Sequence, residues 1–146
     1  MVGELTRIDL IVDDATATAL ALVVSGGHSA IWRVEKPGSY EQLARTRDDA
    51  AGEAFDKVSK MLGLGYPGGK SINDMAAKGD PGKGVFKRPY LDKTKFDFSF
   101  SGIKTGVNRY IQSNGLEGAH RVQDIAAGFQ EAVVDVLSYK LLHAAR

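Results

Sequence analysis

Three short stretches carry residue types that could do chemistry. Ser25-Gly26-Gly27-His28 follows the apolar run Ala19-Leu20-Ala21-Leu22-Val23-Val24. Small residues at the end of a buried-type strand let backbone N–H groups approach a phosphate or carboxylate. The same glycine pair also suits a tight hairpin turn, and the motif alone leaves both readings open. His28 has no second His or Cys at ligand spacing, and His120 and His143 lie too far apart to share a helix face, so a turn histidine bonded to backbone is the better reading. Asp56 admits two roles. It can form an i,i+4 ion pair with Lys60, worth about 0.3–0.5 kcal/mol when exposed, or accept hydrogen bonds from ligand hydroxyls, as acidic residues do for ribose. Gly63-Leu64-Gly65-Tyr66-Pro67-Gly68-Gly69 is not a phosphate loop of the G-x-x-x-x-G-K-[ST] type, because Leu64 occupies the position of the required first glycine. A Pro-Gly-Gly turn that brings bare backbone against a flat ligand, with a helix start behind it, remains.

The elements that must hold these residues follow from periodicity. Residues 19–24 are apolar on both faces, as in a central strand. Residues 29–36 and 40–47 read as second and third strands around a Pro37-Gly38 turn, making an antiparallel meander. Asp48-Asp49 are expected to cap a helix over residues 50–62, with Ala54, Phe55, Val58, Met61 and Leu62 on one face. A short helix fits residues 71–78. Residues 96–100 alternate Phe-Asp-Phe-Ser-Phe, as a strand with one apolar face does. A helix from Ser101 ends at Asn114-Gly115. Residues 118–146 form a long amphipathic helix whose apolar face has no evident partner within the chain. The expected fold class is α/β or α+β, one small sheet with three or four helices.

Composition limits the function classes. With 146 residues, 43% apolar and 25% charged, the chain is long enough to bury a core unaided. Its lack of cysteine excludes disulfides, thiolate metal sites and cysteine nucleophiles. Residues 15–24 are too short an apolar run to span a bilayer, and no basic leader or cleavage site is visible, so a soluble, cytoplasmic protein with no membrane partner is expected. Net charge +1 argues against a globally basic nucleic-acid binder, yet the charge is uneven. Residues 1–60 hold 7 basic and 10 acidic side chains, residues 61–146 hold 12 and 8. The excess gathers at Lys78, Lys83, Lys87, Arg88, Lys93 and Lys95, a solvated loop or a phosphate-contacting patch. Glycine is the outlier, at 17 of 146 residues, about 12% against a usual 7%.

Four blocks together resemble the TsaD family, the tRNA N6-adenosine threonylcarbamoyltransferases once called Gcp or glycoprotease-like. They are Leu22-Val23-Val24-Ser25-Gly26-Gly27-His28-Ser29, Asp48-Asp49-Ala50-Ala51-Gly52-Glu53-Ala54-Phe55-Asp56-Lys57, Leu62-Gly63-Leu64-Gly65-Tyr66-Pro67-Gly68-Gly69 and Asp97-Phe98-Ser99-Phe100-Ser101-Gly102-Ile103-Lys104-Thr105, the last in a bacterial form. The resemblance implies part of the two-lobed fold shared by actin, Hsp70 and sugar kinases (ASKHA). It implies transfer of threonylcarbamoyl from threonylcarbamoyl-adenylate to N6 of the adenosine beside the anticodon of tRNA. Carried over residue by residue, Val23, Val24, Ser25, Gly26 and Gly27 would cradle the phosphate side of the adenylate, Asp56 would take the ribose hydroxyls and Gly69 would let adenosine lie on backbone. Asn73 stands where many members have a ligand-contacting Asp. The implied partners are tRNA, the adenylate, and TsaB-like and TsaE-like proteins; the implied cofactor is one divalent metal, iron in the family.

The departures set further expectations. Residues 1–18 are expected to be a lead-in that does not match the family and lacks its His-x-x-x-His metal pair, residues 19–146 a partial TsaD-like domain, and the family's later Asn and metal-binding Asp have no counterpart. Lys70 replaces the usual proline after Pro-Gly-Gly. No general base is identifiable, and the isolated chain is expected to be inactive. The alternatives are a non-catalytic module pairing through its C-terminal helix, and a kinase or ATPase on the same fold, whose phosphate-binding and catalytic Asp groups the chain does not show.

Overall fold

The computed structural model describes residues 18–90, 94–118 and 121–146. Most of the lead-in, Lys93 and His120 lie outside these residues. Three strands, β1 (Ala19–Val24), β2 (Ser29–Lys36) and β3 (Ser39–Arg45), form an antiparallel sheet in the order β1-β2-β3. The expected meander is therefore present. Leu22 pairs with Ile31 and Ile31 with Ala44, so one apolar row crosses the sheet toward the core. Among the described residues β1 is an edge strand and half-buried throughout, not the doubly covered central strand that its composition suggested.

Among the described residues four helices complete the mixed α/β fold: α1 (Ala51–Met61), α2 (Gly68–Ala76), α3 (Ser101–Asn114) and α4 (Arg121–Ala144), with a 3-10 turn at Pro81–Lys83. In α1 the buried Ala51, Ala54 and Val58 recur at helical spacing, while Glu53 and Lys57 pair at 2.8 Å on the opposite side. Its end is set by Gly63, whose φ of +71° lies in the left-handed region. Gly115, at φ +68°, ends α3 at the expected position.

Further expectations differ. The short helix expected over residues 71–78 is α2, which starts at Gly68, so Gly68 and Gly69 are its first residues and not part of a turn ahead of it. Residues 96–100 do not extend the sheet; Phe98 makes one parallel bridge to Thr46, with Phe98 N–H donating to the Arg45 carbonyl and Arg47 N–H to the Phe98 carbonyl, both at 3.0 Å. The Phe alternation instead sends Phe98 and Phe100 into the core, where their rings stack at 5.9 Å. The apolar face of α4 is also not unpartnered. Ile125, Phe129, Ala132, Val133 and Val136 are fully or almost fully buried in the same core as Ile72, Ile103 and Val107. The loop before α3 lies bare on this helix: a Cβ on Gly128 would sit 1.6 Å from the Gly84 carbonyl oxygen. Bulk is excluded there because the two backbones touch. Lys140, buried in the last turns of α4, donates from Nζ to the Lys95 carbonyl at 2.6 Å.

Candidate functional site

The expected cap of α1 is not Asp48 or Asp49. Ala50 holds the N-cap position without a side-chain bond, and the first helical N–H groups are satisfied from the sheet. Ala51 N–H donates to Ser29 Oγ at 2.9 Å and Gly52 N–H to the Ser25 carbonyl at 3.1 Å. The close approach needs glycine, since a Cβ on Gly52 would lie 2.6 Å from both Gly26 Cα and the Ser25 carbonyl oxygen. The β1-β2 turn is thereby fixed against the start of α1.

That turn is closed upon itself. Ser25 N–H donates to the His28 carbonyl at 2.8 Å, and Gly27 and His28 N–H both donate to Ser25 Oγ, at 3.3 and 3.0 Å. It is both the hairpin turn and the loop positioned over α1. The N–H of Gly26 alone among Ser25, Gly26, Gly27 and His28 has no partner and is open to a ligand. His28 is exposed in the turn as expected, but only its main-chain N–H and carbonyl are bonded; its imidazole has no hydrogen bond to backbone among the described residues. Val23 and Val24 precede it as the half-buried end of β1.

One turn further along α1, Asp56 makes no ion pair with Lys60. Its Oδ1 accepts from Gly68 N–H at 2.9 Å, capping α2 from outside. The chain between them is folded back by Ser59, which donates from Oγ to the Gly65 carbonyl at 2.7 Å and accepts Leu64 N–H at its own carbonyl. Gly68 packs bare on α1: a Cβ there would be 2.5 Å from the Phe55 carbonyl oxygen. Gly52 and Asp56, four residues apart and so on one helix face, thus seat the Ser-Gly-Gly and Pro-Gly-Gly segments side by side. Gly69 and Asn73 lie one turn apart on α2, with Asn73 exposed. A cavity of about 560 Å³ opens beside Asp56, walled by Lys57, Lys60 and Tyr66.

The glycines at this site fall into two kinds. Gly52 and Gly68 are demanded by backbone contact. At Gly26, Gly27 and Gly69 a Cβ would meet nothing within 4 Å, and none of the three has a left-handed φ. The fold itself gives no reason for glycine at these three positions.

The adjacent acidic pair has structural work that motif reading missed. Asp48 Oδ1 accepts from Phe100 N–H at 2.8 Å and Ser101 N–H at 3.2 Å, and Oδ2 accepts from the hydroxyls of Ser99 and Ser101 at 2.5 and 2.9 Å. Burial pushes its carboxyl up, but these bonds outweigh burial and hold it below the ordinary Asp value. Asp49 is likewise raised by burial and lowered more by Lys57 and Lys104, each 2.9 Å away. The Lys57 ammonium is pushed up by Glu53 and then Asp49. Asp97 adds a third clamp, accepting from Arg45 N–H and Arg47 Nε, both at 3.1 Å. The Asp48 and Asp97 blocks therefore hold β3, α1 and α3 together. A signal was present in the Ser and Asp side chains next to the α3 start, but only the fold shows that the cap comes from 51 to 53 residues upstream.

The basic stretch is not uniform. Arg88 is turned inward, with Nε and Nη2 donating to Asp135 at 2.9 and 2.8 Å and Nη1 to the Phe86 carbonyl at 2.7 Å. Lys78, Lys83, Lys87 and Lys95 are exposed. Among the described residues no three His, Asp or Glu side chains come together as a metal site would require, so no metal is placed on them. No helix of the described residues is long and apolar enough to cross a membrane.

Comparison with known proteins adds a family. The model of the TsaD family, described as tRNA N6-adenosine threonylcarbamoyltransferase, matches residues 6–146 and so includes, against the expectation of no match there, residues 6–18 of the lead-in. Curated relatives of that name include one from Desulforapulum autotrophicum, 56% identical over 138 residues, covering 94% of this chain and 41% of its own length. One from Syntrophotalea carbinolica is 56% identical over 139 residues, covering 94% and 40%, and one from Thermotoga neapolitana 50% over 131 residues, covering 90% and 39%. The chain spans about two-fifths of the length of these relatives.

Proposed function

The chain belongs to the TsaD family of tRNA N6-adenosine threonylcarbamoyltransferases, and from that premise we propose that it carries the adenylate-holding part of such an enzyme, within an actin-like two-lobed fold. The observation that carries this reading is the convergence on one face of α1: Gly52 seats the Ser25-Gly26 turn, Asp56 seats Gly68, and three glycines that the fold does not need stand around them. Open backbone at such positions suits a nucleotide that must approach closer than any Cβ allows.

In this reading threonylcarbamoyl-adenylate lies over α1. Gly26 N–H donates toward the phosphate, and the Asp56 oxygen not taken by Gly68 accepts from the ribose hydroxyls. Adenosine rests on Gly69, with Asn73 at its edge. The incoming N6 amine of the tRNA adenosine attacks the carbamoyl carbon; the new C–N bond forms as the C–O bond to phosphate breaks, AMP leaves with the electron pair, and the proton lost from N6 passes to solvent. This chain's share is to bind and orient the adenylate, a proximity effect. The divalent metal of the family, iron, and the TsaB-like and TsaE-like proteins would be further requirements of turnover. We expect the 146-residue polypeptide to bind nucleotide and not to turn over alone. A threonylcarbamoylation assay checks the second half; product from the chain without any complementing protein would overturn it.

Calorimetric binding of AMP tests the site. Asp56→Asn keeps an acceptor for Gly68 N–H but loses the carboxylate charge. Charged hydrogen bonds contribute about 1.5–3 kcal/mol, so AMP affinity should fall by about tenfold or more. The 2′,3′-dideoxy nucleotide should bind wild type and variant alike. Equal loss for both nucleotides would place Asp56 away from the ribose.

A further inference from the structure

A second concave surface lies on residues that the adenylate reading does not use. It is a groove of about 360 Å³ between the segment 85–87 and α3. One wall is Val85, Phe86 and Lys87, the other Gly106, Arg109 and Tyr110. Its floor is fixed: Phe86 is buried, and its ring meets Tyr110 edge-on at 5.8 Å. Gly106 keeps that floor low, since the nearest neighbour of a Cβ there would be the Phe86 ring at 3.8 Å. At the rim Val85 is 68% exposed.

The charges are arranged with the same economy. Lys87 and Arg109 are exposed and pair with no carboxylate among the described residues, and no acidic side chain lines the groove. The next residue, Arg88, is turned the other way and bonded to Asp135, Glu131 and a carbonyl. One cation of the pair is committed to the fold, while its neighbour is left free to face Arg109 across the groove. Two unpaired cations over an aromatic and aliphatic floor suit a polyanion that also carries flat apolar groups, a description that fits a nucleic-acid strand. Ser113 and Asn114 add polar contacts at the far end.

We propose that this groove is a docking site for an RNA strand, with backbone phosphates on Lys87 and Arg109 and a base against Val85 and Tyr110. It rests on the reading that RNA is the acceptor, and locates one place where the acceptor is gripped away from the adenylate.

The test is fluorescence anisotropy of a labelled tRNA transcript with the 146-residue chain, from about 50 to about 300 mM KCl, where each phosphate contact contributes close to one unit of the log affinity against log salt slope. Lys87→Ala and Arg109→Ala should each weaken binding about three- to tenfold at the low-salt end and each lower the slope by about one. Lys36→Ala, an exposed cation on β2, should change little, and circular dichroism confirms that all three variants are folded. Wild-type affinity and slope in both groove variants would overturn the proposal, as would absence of tRNA binding by the unmodified chain. A groove that serves a protein partner would give the first of these results. AMP binding on the same samples separates the two readings. Groove variants blind to the change with AMP binding intact reject the groove alone, whereas loss of the Asp56 effect with the salt slopes as expected rejects the adenylate site alone.

Discussion

Asp48 lies just before α1 and Asp56 in its middle, and each binds the start of a different helix. Asp48 receives four hydrogen bonds around the beginning of α3. Its folded-state pKa is lowered from 3.8, so the stability it contributes is fully present above the unfolded value and is lost as pH falls through the folded one. Asp48→Asn should therefore cost about 1–2 kcal/mol at neutral pH, the range of a lost helix cap, and the gap between wild type and variant should close as pH drops below about 3.8. Urea unfolding at several pH values measures this; a gap that persists unchanged at acid pH would show that the carboxylate charge is irrelevant. The glycines offer a sharper contrast. Gly68→Ala forces a Cβ against the Phe55 carbonyl and should destabilise by about 1–3 kcal/mol. Gly69→Ala meets open space and should leave stability equal or up to about 1 kcal/mol higher. If a nucleotide lies on Gly69, the same Gly69→Ala should weaken AMP binding. Unchanged AMP affinity in this stable variant would remove Gly69 from the site.

At the scale of elements, α1 is the platform on which the candidate site is assembled. Its apolar spacing made the helix legible, as did the strand alternation of β2 and the Asn114-Gly115 stop of α3. What periodicity could not give was the origin of the caps, because Ser29 to Ala51, Asp56 to Gly68 and Asp48 to Phe100 are all contacts between segments. The Phe98 segment was misread for a related reason. Alternating apolar residues satisfy a strand pattern, yet an element counts as sheet only if a neighbour supplies a full ladder, and here Thr46 supplies one bridge. Gly26, Gly27, Asp56 and Gly69 could be picked out by type and resemblance, whereas their grouping on one face of α1 required the fold. Ser29 is the simplest probe of the platform. It is buried, and Ser29→Ala removes the acceptor for Ala51 N–H, which should cost about 1–2 kcal/mol. Denaturation of Ser29→Ala with an unchanged midpoint would mean that the start of α1 does not depend on the sheet.

For the whole molecule the decisive element is α4. Read as sequence it was a long amphipathic helix in search of a partner, and that prompted the idea of a module pairing through it. In the fold its apolar face lies in the common core, against residues of α1, α2 and α3. Phe129 also meets Phe55 edge-on at 4.9 Å, and Phe55 directly precedes Asp56. The core thus reaches the candidate site through one aromatic contact, which would link stability to the proposed nucleotide binding. Phe129→Ala should cost about 3–5 kcal/mol, the usual range for a buried phenylalanine, while Val134→Ser on the exposed side should stay within about 0.5 kcal/mol. Denaturant midpoints and gel filtration decide between the two roles of α4. A spine gives a large midpoint loss for Phe129→Ala and an unchanged elution volume for Val134→Ser. A docking face would give the reverse, a near-neutral Phe129→Ala and an assembly that Val134→Ser disrupts. AMP affinity of folded Phe129→Leu, a smaller perturbation, extends the argument to the site: it should fall by a few-fold if the Phe55 contact orients Asp56, and stay at the wild-type value if α4 supports the fold alone.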